Sequence, residues 1–282
     1  MSNKPINRPT IRFSFTSDCE NCFGLCCVAL PYAKSADFAF HKDGGAPCRN
    51  LKKDYRCGIH QNLRDNGFKG CTVYECFGAG QTVSQLTYKG KGWREDPEIA
   101  KEMFDVFPIM QQLHEMLYYL DEALSLEDTE PLYHDLLPVI KETERLTRLD
   151  PQSILQLDVP AHRAIVNKLL LQASERVRAK VKKGNKHHER KRAGRRDLIG
   201  AKLKGADLRG ANMRGVLLIA ADLREADLRW ADLIGADLRD ADIRGANLVG
   251  SIFLTQAQVN AAIGDSNTKL PHPLKVPEHW VK

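Results

Sequence analysis

The sequence has 282 residues, which is enough for two or three domains and a sizeable hydrophobic core. Its formal net charge of +6 is concentrated in residues 182–196, where eight Lys or Arg and one Glu give +7. The rest of the chain is close to neutral, which argues against a uniformly basic nucleic-acid-binding surface. The first residues lack the apolar core of a signal peptide, and no stretch approaches the length of a membrane span. We therefore expect a soluble, cytoplasmic protein without membrane contacts.

Cysteine is confined to the predicted first domain, residues 15–95. All eight cysteines lie between Cys19 and Cys76, and the rest of the chain contains none. In a reducing cytoplasm such a cluster favours metal binding over disulfides, because thiolates are soft ligands that suit zinc and iron. Two closely spaced cysteines can coordinate one metal ion from a single turn, and distant cysteines then complete the coordination. The predicted metal ligands are Cys19, Cys22, Cys26, Cys27, Cys48, Cys57, His60, Cys71 and Cys76.

Eight thiols exceed the four ligands of one tetrahedral site. The sequence therefore leaves open two metals, a cluster, or some cysteines that only fill the core. Zinc is the first cofactor expected, with iron or an iron–sulfur cluster as the alternative. His60 is included because it lies three residues after Cys57, whereas His41 is expected to be an ordinary surface residue. The glycines between the cysteines predict a loop-rich segment that gains much of its stability from metal.

The arrangement of these cysteines resembles the zinc- or iron-chelating domains named for their CxxCxxCC motif. The positions that carry the resemblance are Cys19, Cys22, Cys26, Cys27, Cys48, Cys57 and Cys71. This chain departs from the motif, since three residues instead of two separate Cys22 from Cys26. Similar segments in flagellin lysine methylases imply an iron–sulfur cluster as the competitor to zinc. The gaps are the reverse of CxxxCxxC, so radical-SAM chemistry is not expected.

Residues 96–181 contain no cysteine and show the three- and four-residue apolar spacing of helices. Pro108 should kink or divide the first of these helices. We predict a small helical bundle whose apolar residues form a core and not a cofactor pocket. Helix starts are predicted near Asp96, Pro131, Asp150 and Asp158. The inward positions of the last helix are expected to be Ile165, Val166, Leu169, Leu170, Ala173 and Val177.

Residues 182–196 form a basic linker with two glycines and no apolar periodicity. This composition is typical of a flexible tether. The alternative is that its Lys and Arg side chains contact nucleic-acid phosphates, in which case binding would weaken steeply as salt rises.

From Asp197 to Leu254 the sequence repeats every five residues, in variations of Ala-Asp-Leu-Arg-Gly. A large apolar residue occupies each pentad from Leu198 to Phe253, and a small residue lies two positions before nearly all of them. A period of five fits neither a helix nor an open strand. It indicates a stacked solenoid, in which each repeat buries its apolar residue against its neighbours.

These pentads resemble the pentapeptide-repeat family, whose motif is Ala-(Asp/Asn)-Leu-X-X. The resemblance implies a right-handed quadrilateral β-helix over residues 197–254, with four pentads per coil and the Leu and small residues inside. Because the ends of such a tube are open sheet edges, residues 255–282 are predicted to form a cap. In this cap Thr255 should begin a short helix and Trp280 should cover apolar surface. The fold class expected is multidomain α+β, with an N-terminal cysteine-rich metal-binding domain, a central helical bundle and a C-terminal short right-handed pentapeptide-repeat β-helix.

The pentapeptide-repeat family is best known for protecting DNA gyrase from drugs, which implies a bacterial role in antibiotic resistance or target protection. Mimicry of duplex DNA is not expected here, because the nine acids and eight bases of residues 197–254 leave a net charge of only −1. Several outward residues of the coils predict a contact with the helical domain or with a second subunit. These residues are Ile199, Leu217, Ile219 and Trp230.

The sequence contains no recognisable Ser-His-Asp set, phosphate-binding loop or HExxH motif, so no catalytic residues are assigned. The primary hypothesis is a non-enzymatic protein that binds a macromolecular protein partner and can form a homodimer. One alternative is an iron–sulfur or metal-dependent enzyme that uses the N-terminal cysteine cluster. Another is metal chelation or sensing by the same cysteines.

Overall fold

The computed structural model describes residues 14–181 and 197–281. The predicted basic linker, residues 182–196, and its possible nucleic-acid contacts lie outside the described residues. The chain divides into two compact units, Met1–Leu170 and Leu171–Lys282. Across the described ranges, no helix is both long and apolar enough to cross a membrane.

The cysteine-rich segment is loop-rich, as predicted, and aromatic rings fill much of its interior. The Tyr32 ring stacks on Phe38 with centroids 4.4 Å apart, and Phe68 packs edge-on against Phe40. The buried ammonium group of Lys42 donates hydrogen bonds to three backbone carbonyl oxygens between residues 28 and 46 and so ties the loops together. The short elements are α1 (Leu25–Val28), a 3₁₀ turn (His60–Asn62), α2 (Lys69–Thr72), α3 (Ala79–Gln81) and a π-helical turn (Thr82–Thr87).

The predicted helical region is confirmed, and its core is formed around one long helix. Asp96 caps this helix by accepting hydrogen bonds from the backbone N–H groups of Glu98 and Ile99. The expectation that Pro108 could divide the helix is wrong, because the apolar face is buried on both sides of the proline and holds one continuous helix. The elements are α4 (Pro97–Ser125), a 3₁₀ turn (Glu127–Leu132), α5 (Tyr133–Leu146), α6 (Pro151–Leu155) and α7 (Val159–Arg178).

The prediction that Ile165 faces inward is also wrong. Ile165 is 54% exposed, whereas the next residue, Val166, is 1% exposed. Consecutive residues of a helix point about 100° apart, so a narrow apolar stripe can bury only one member of this pair. The other inward positions predicted for α7 are buried, namely Val166, Leu169, Leu170, Ala173 and Val177.

Residues 197–254 form a coil of pentads. Parallel backbone bridges join residues 20 positions apart, for example Asp207 to Asp227 and Asp227 to Asn247, which confirms four pentads per coil. Throughout residues 197–281 the pairing consists of such isolated bridges and not of longer strands, because each pentad turns a corner soon after its paired residue. The repeated leucines and alanines fill the interior, and Leu223 and Ala226 are fully buried.

One corner of the coil shows why glycine is needed at particular pentads. Trp230 occupies a corner position with a left-handed φ of 57°, and its indole lies over Gly250 one coil later. A side chain at residue 250 would come within 3.1 Å of the indole ring. The Arg229 guanidinium lies 5.3 Å from the centroid of the Trp230 ring. The Trp230 side chain therefore packs against other residues of the coil.

The predicted helix after the coil is confirmed as α8 (Gln256–Ala261). Thr255 caps it in a reciprocal arrangement with Gln258. The following tail pairs with the last coil through Ile263 and Lys269. Trp280, in a 3₁₀ turn (Glu278–Trp280), belongs to the buried core of the coil, as predicted.

Candidate metal centre

All eight cysteines of the chain line one cavity of about 1240 Å³ in the cysteine-rich segment, although the first and last are far apart in sequence. His60 lies on the same wall. His41 is instead an exposed residue whose imidazole bonds to Asp43, as expected for a surface position. The structure thus brings together every residue that the sequence assigned to a metal site, while the metal itself stays a prediction.

The short helix α1 places Cys26 and Cys27 on the cavity wall, with their sulfur atoms 4.0 Å apart. The residue before it, Gly24, has a left-handed φ of 65°. A Cβ at this position would lie 2.7 Å from both Leu51 Cδ1 and the carbonyl oxygen of Tyr55. Glycine is therefore required for the chain to turn into α1 so close to the neighbouring loop.

Cys48 and Cys57 reach the cavity from the two arms of a neighbouring loop. The backbone N–H of Cys48 donates to the carbonyl oxygen of Cys27 at 2.9 Å, and Leu51 pairs with Cys57 across the loop. The Tyr32 hydroxyl donates to the Cys48 sulfur at 3.2 Å. These contacts hold three of the cysteines on one part of the wall.

The remaining cysteines come from the N-terminal loop and from the segment around α2 and α3. Ser17 Oγ lies 3.1 Å from Cys76 Sγ. A Cβ added to Gly80 would lie 2.7 Å from Cys22 Sγ and 3.8 Å from Cys76 Sγ. The absence of a side chain at residue 80 is thus what lets α3 approach two sulfur atoms at once. Cys71 lies in α2, with its N–H bonded to the Phe68 carbonyl.

Burial keeps several of these thiols protonated. Burial raises the pKa of Cys19 to about 11, and neighbouring thiolate charge adds to this effect. In the same way the pKa values of Cys22 and Cys71 are raised to about 12. Binding of a metal ion at these positions would therefore release protons.

The pKa of Cys57 is lowered, in contrast to those of Cys19, Cys22 and Cys71. A hydrogen bond from the Cys27 thiol lowers the pKa of Cys57 to about 6. The pKa of Cys27 is raised, because its protonated thiol donates hydrogen bonds to Cys26 and Cys57. A hydrogen bond from the Cys27 thiol also lowers the pKa of Cys26. Cys26 and Cys57 are therefore the cysteines of the cavity wall whose thiolate forms are favoured, and thiolate is the form that binds metal.

In the described part of the chain, no group of three or more His, Cys, Asp or Glu side chains is already arranged to hold a metal ion. Metal binding would have to draw the sulfur atoms together. The donor set nevertheless fits zinc and iron, because thiolates are soft ligands of both metals and eight thiols face one cavity. The residues that would hold the metal are those cysteines, with His60 beside them.

Two tyrosines in the cavity wall were not singled out from the sequence. Tyr32 hydrogen-bonds to Cys48, and the buried hydroxyl of Tyr74 has no hydrogen-bond partner among the described residues. Burial raises the pKa of both hydroxyls. No fixed spacing links a tyrosine to a metal site, and the only available signal was the place of Tyr74 between Cys71 and Cys76.

The coil matches the family model for pentapeptide repeats, with eight copies over residues 197–215 and 221–253. Among curated proteins, "Uncharacterized protein YybG" of Bacillus subtilis (strain 168) is 64% identical over 280 residues, covering 99% of this chain and 100% of that protein. No solved structure matches this chain. These comparisons do not show the resemblance to the CxxCxxCC domains, which stays a prediction.

Proposed function

Since this chain belongs to the same family as YybG and carries pentapeptide repeats, we propose that it is a non-enzymatic interaction protein whose cysteine-rich segment binds zinc or iron. The metal would stabilise residues 15–95, and the β-helix would present a surface to a protein partner. The proposed compartment is the cytoplasm, where thiols stay reduced and available to metal.

The observation that carries the metal proposal is the convergence of all eight cysteines on one cavity. They come from four separate stretches of a segment with little regular structure of its own. A segment of this kind gains its fold from the ion that its thiolates share, because metal binding and folding are then one equilibrium.

The test is the metal content of full-length protein purified without oxygen. Zinc, iron and acid-labile sulfide would be measured per chain, together with the visible absorption spectrum. We expect stoichiometric metal. Colourless protein with zinc would identify zinc sites, and brown protein with iron and sulfide would identify a cluster. Protein that contains neither metal, and takes up neither on reconstitution, would refute the proposal. His41→Ala is the control variant and should leave the content unchanged.

The surface of the β-helix supports a protein partner better than mimicry of DNA. Five pentads each carry an Asp whose carboxylate is bonded to the guanidinium two residues later, so much of the negative charge is neutralised within the coil. These pairs are Asp207–Arg209, Asp222–Arg224, Asp227–Arg229, Asp237–Arg239 and Asp242–Arg244. Ile199 on the first coil and Leu217 at the start of the second coil are exposed and provide an apolar contact area.

A second copy of the chain is the first partner to test. Light scattering should give the mass of a dimer for the full-length protein. Ile199→Asp should give the monomer mass, whereas Val249→Asp, at an equally exposed position on the last coil, should not. Monomeric wild-type protein would rule out the dimer. The target-protection role would be abandoned if a deletion strain kept its sensitivity to gyrase and translation inhibitors.

The size of the cavity favours a second candidate, an enzyme that uses an iron–sulfur or other metal centre. Its volume of about 1240 Å³ is far larger than an ion needs and suits a small-molecule ligand. The wall also carries the side chains of Lys52 and Arg56. Visible absorption that bleaches on reduction and returns on oxidation would favour this candidate. Colourless zinc protein would count against it.

A further inference from the structure

We propose that Cys48 is a metal ligand whose sulfur is positioned by Tyr32, and that Cys76 stays outside the coordination sphere as a neutral thiol. This inference rests on the proposed metal binding and narrows its set of ligands. A metal-bound thiolate accepts hydrogen bonds and has no proton to donate. The groups that surround each sulfur atom therefore indicate which cysteines suit coordination.

The Cys48 sulfur is surrounded by donors in a buried part of the cavity wall. The Tyr32 hydroxyl donates to Cys48 Sγ at 3.2 Å, and the backbone N–H of Asn50 donates to the same sulfur at 3.4 Å. Stacking of the Tyr32 ring on Phe38, with centroids 4.4 Å apart, fixes the position of the hydroxyl. The sulfur acts as an acceptor in both bonds, as a coordinating thiolate does.

A buried cation lies beside the same part of the wall. The Lys42 ammonium group donates to the carbonyl oxygens of Val28 and Ala46 at 3.0 and 2.9 Å. Val28 follows Cys27, whose carbonyl oxygen accepts a hydrogen bond from the N–H of Cys48. Among the described residues, this ammonium group makes no ion pair with a carboxylate. A buried charge is stabilised by an opposite charge nearby, and a Cys48 thiolate bound to metal would supply one.

The Cys76 sulfur instead lies next to an acceptor. Ser17 Oγ is 3.1 Å from Cys76 Sγ and 2.6 Å from Glu75 Oε1. The Phe77 N–H donates to the same carboxylate oxygen at 2.9 Å and holds it in place. A serine hydroxyl has one proton, and the carboxylate takes it because a charge-assisted hydrogen bond is the stronger one. The Cys76 thiol must then donate its own proton to the Ser17 oxygen.

Loss of the Cys76 proton would leave a thiolate facing a lone pair of Ser17 and close to the Glu75 carboxylate. Both contacts would be repulsive, whereas a Cys48 thiolate would keep its two donors and gain the nearby positive charge. The two cysteines thus differ in role although both line the cavity and both contact a hydroxyl group.

The experiment compares Cys48→Ser with Cys76→Ser in the full-length protein, so that each variant loses one thiol. Metal-free protein would be titrated with Co²⁺ alone under anaerobic conditions and followed by thiolate charge-transfer absorption. Cys76→Ser should bind Co²⁺ like the wild type, because a serine hydroxyl at this position can still donate to Ser17. Cys48→Ser should bind Co²⁺ at least about 10-fold more weakly and with lower charge-transfer intensity per ion, because a hydroxyl is a poor ligand for a site built from soft thiolates.

Tyr32→Phe tests the positioning role without removing a thiol. We expect about 10-fold weaker Co²⁺ binding and a charge-transfer band at longer wavelength, because loss of the hydrogen bond raises the energy of the sulfur lone pair. A purely structural role of the tyrosine would not move the band. Tyr55→Phe is the control, since Tyr55 lines the same cavity and its hydroxyl bonds to no sulfur atom among the described residues. It should leave both affinity and band unchanged.

A Cys76→Ser variant that loses Co²⁺ as Cys48→Ser does, or a Cys48→Ser variant that binds like the wild type, would overturn the assignment of the two cysteines. An unmoved band in Tyr32→Phe would overturn the positioning role. These results differ from failure of the proposed function, in which the wild type itself binds no Co²⁺ and contains neither zinc nor iron. Circular dichroism would verify the fold of each variant, and Tyr32→Phe decides the role of Cys48 if Cys48→Ser does not fold.

Discussion

His114 is buried in the face of α4, and its Nδ1–H donates to the Phe77 carbonyl oxygen at 2.8 Å. Burial lowers the pKa of His114 to about 4. The unfolded chain takes up this proton near pH 6.5, whereas the folded chain does not until about pH 4. The stability contributed by neutral His114 is therefore complete above pH 6.5 and is lost as the pH falls towards 4.

We expect His114→Gln to flatten the dependence of the free energy of unfolding on pH between 6.5 and 4. The slope removed is at most about 1.4 kcal/mol per pH unit, the value for one proton. Urea unfolding at several pH values would measure it. His134→Gln, at an exposed position, is the matched control and should keep the wild-type slope. An unchanged slope in the His114 variant would contradict the argument.

Gly80 provides a prediction at the level of the short helix α3. In an ordinary helix a Gly→Ala change stabilises by about 1 kcal/mol. Here the added methyl would lie 2.7 Å from Cys22 Sγ. We therefore expect Gly80→Ala to displace the Cys22 sulfur and so to lower the metal content of the cysteine-rich segment. Elemental analysis would measure the loss, and undiminished metal in a folded variant would contradict the proposed position of Gly80.

The coils of the β-helix contain one buried ion pair. Asp232 is fully buried, and its carboxylate accepts a hydrogen bond from Arg214 Nη1 at 2.9 Å. Arg214→Met would leave the carboxylate buried with less compensation, so we expect a loss of about 3–5 kcal/mol in the free energy of unfolding. Denaturant unfolding followed by circular dichroism would measure it.

Arg239→Met is the control, because Arg239 pairs with Asp237 at an exposed site where such pairs contribute about 0–1 kcal/mol. The double variant Arg214→Met/Asp232→Leu should recover much of the lost stability, since it removes the uncompensated charge. Equal losses of unfolding free energy in the Arg214 and Arg239 variants would show that burial of Asp232 does not determine the loss of stability.

The elements differ in how far the sequence predicts them. Periodicity and caps are local properties, so a stacked coil of pentads and the helices begun by Asp96 and Thr255 could be predicted. The number of four pentads per coil came from the resemblance to the pentapeptide-repeat family. The choice between Ile165 and Val166 depends on the width of the buried stripe, which one sequence does not give. The π-helical turn at Thr82–Thr87 likewise has no spacing that distinguishes it.

The candidate site likewise could be predicted only in part from the sequence. Cysteine composition and spacing predict which residues converge, because few other roles explain eight thiols in one short segment. Their positions around the cavity depend on tertiary contacts, such as the Tyr32 bond to Cys48 and the approach of Gly80 to Cys22. These contacts join residues that are remote in sequence, so no local pattern records them.

At the scale of the whole molecule, the cysteine-rich segment and the β-helix obtain stability from different sources. The coil buries a leucine and an alanine in nearly every repeat, and each repeat is held by its neighbours. The cysteine-rich segment has short elements, and its loops line a large cavity. Removal of metal should therefore affect the two parts unequally.

We expect a chelator to raise amide hydrogen exchange in residues 15–95 and to leave residues 197–254 unchanged. The coil is the internal control, since it contains no cysteine. Hydrogen exchange with mass spectrometry, before and after chelation and again after metal is restored, would measure both parts in one sample. Protection that is lost and then regained in residues 15–95 would show that the metal holds this segment together. Unchanged exchange there, despite complete metal loss, would mean that the fold does not depend on the ion and would favour chelation or sensing. An equal rise in the coil would contradict the separate sources of stability.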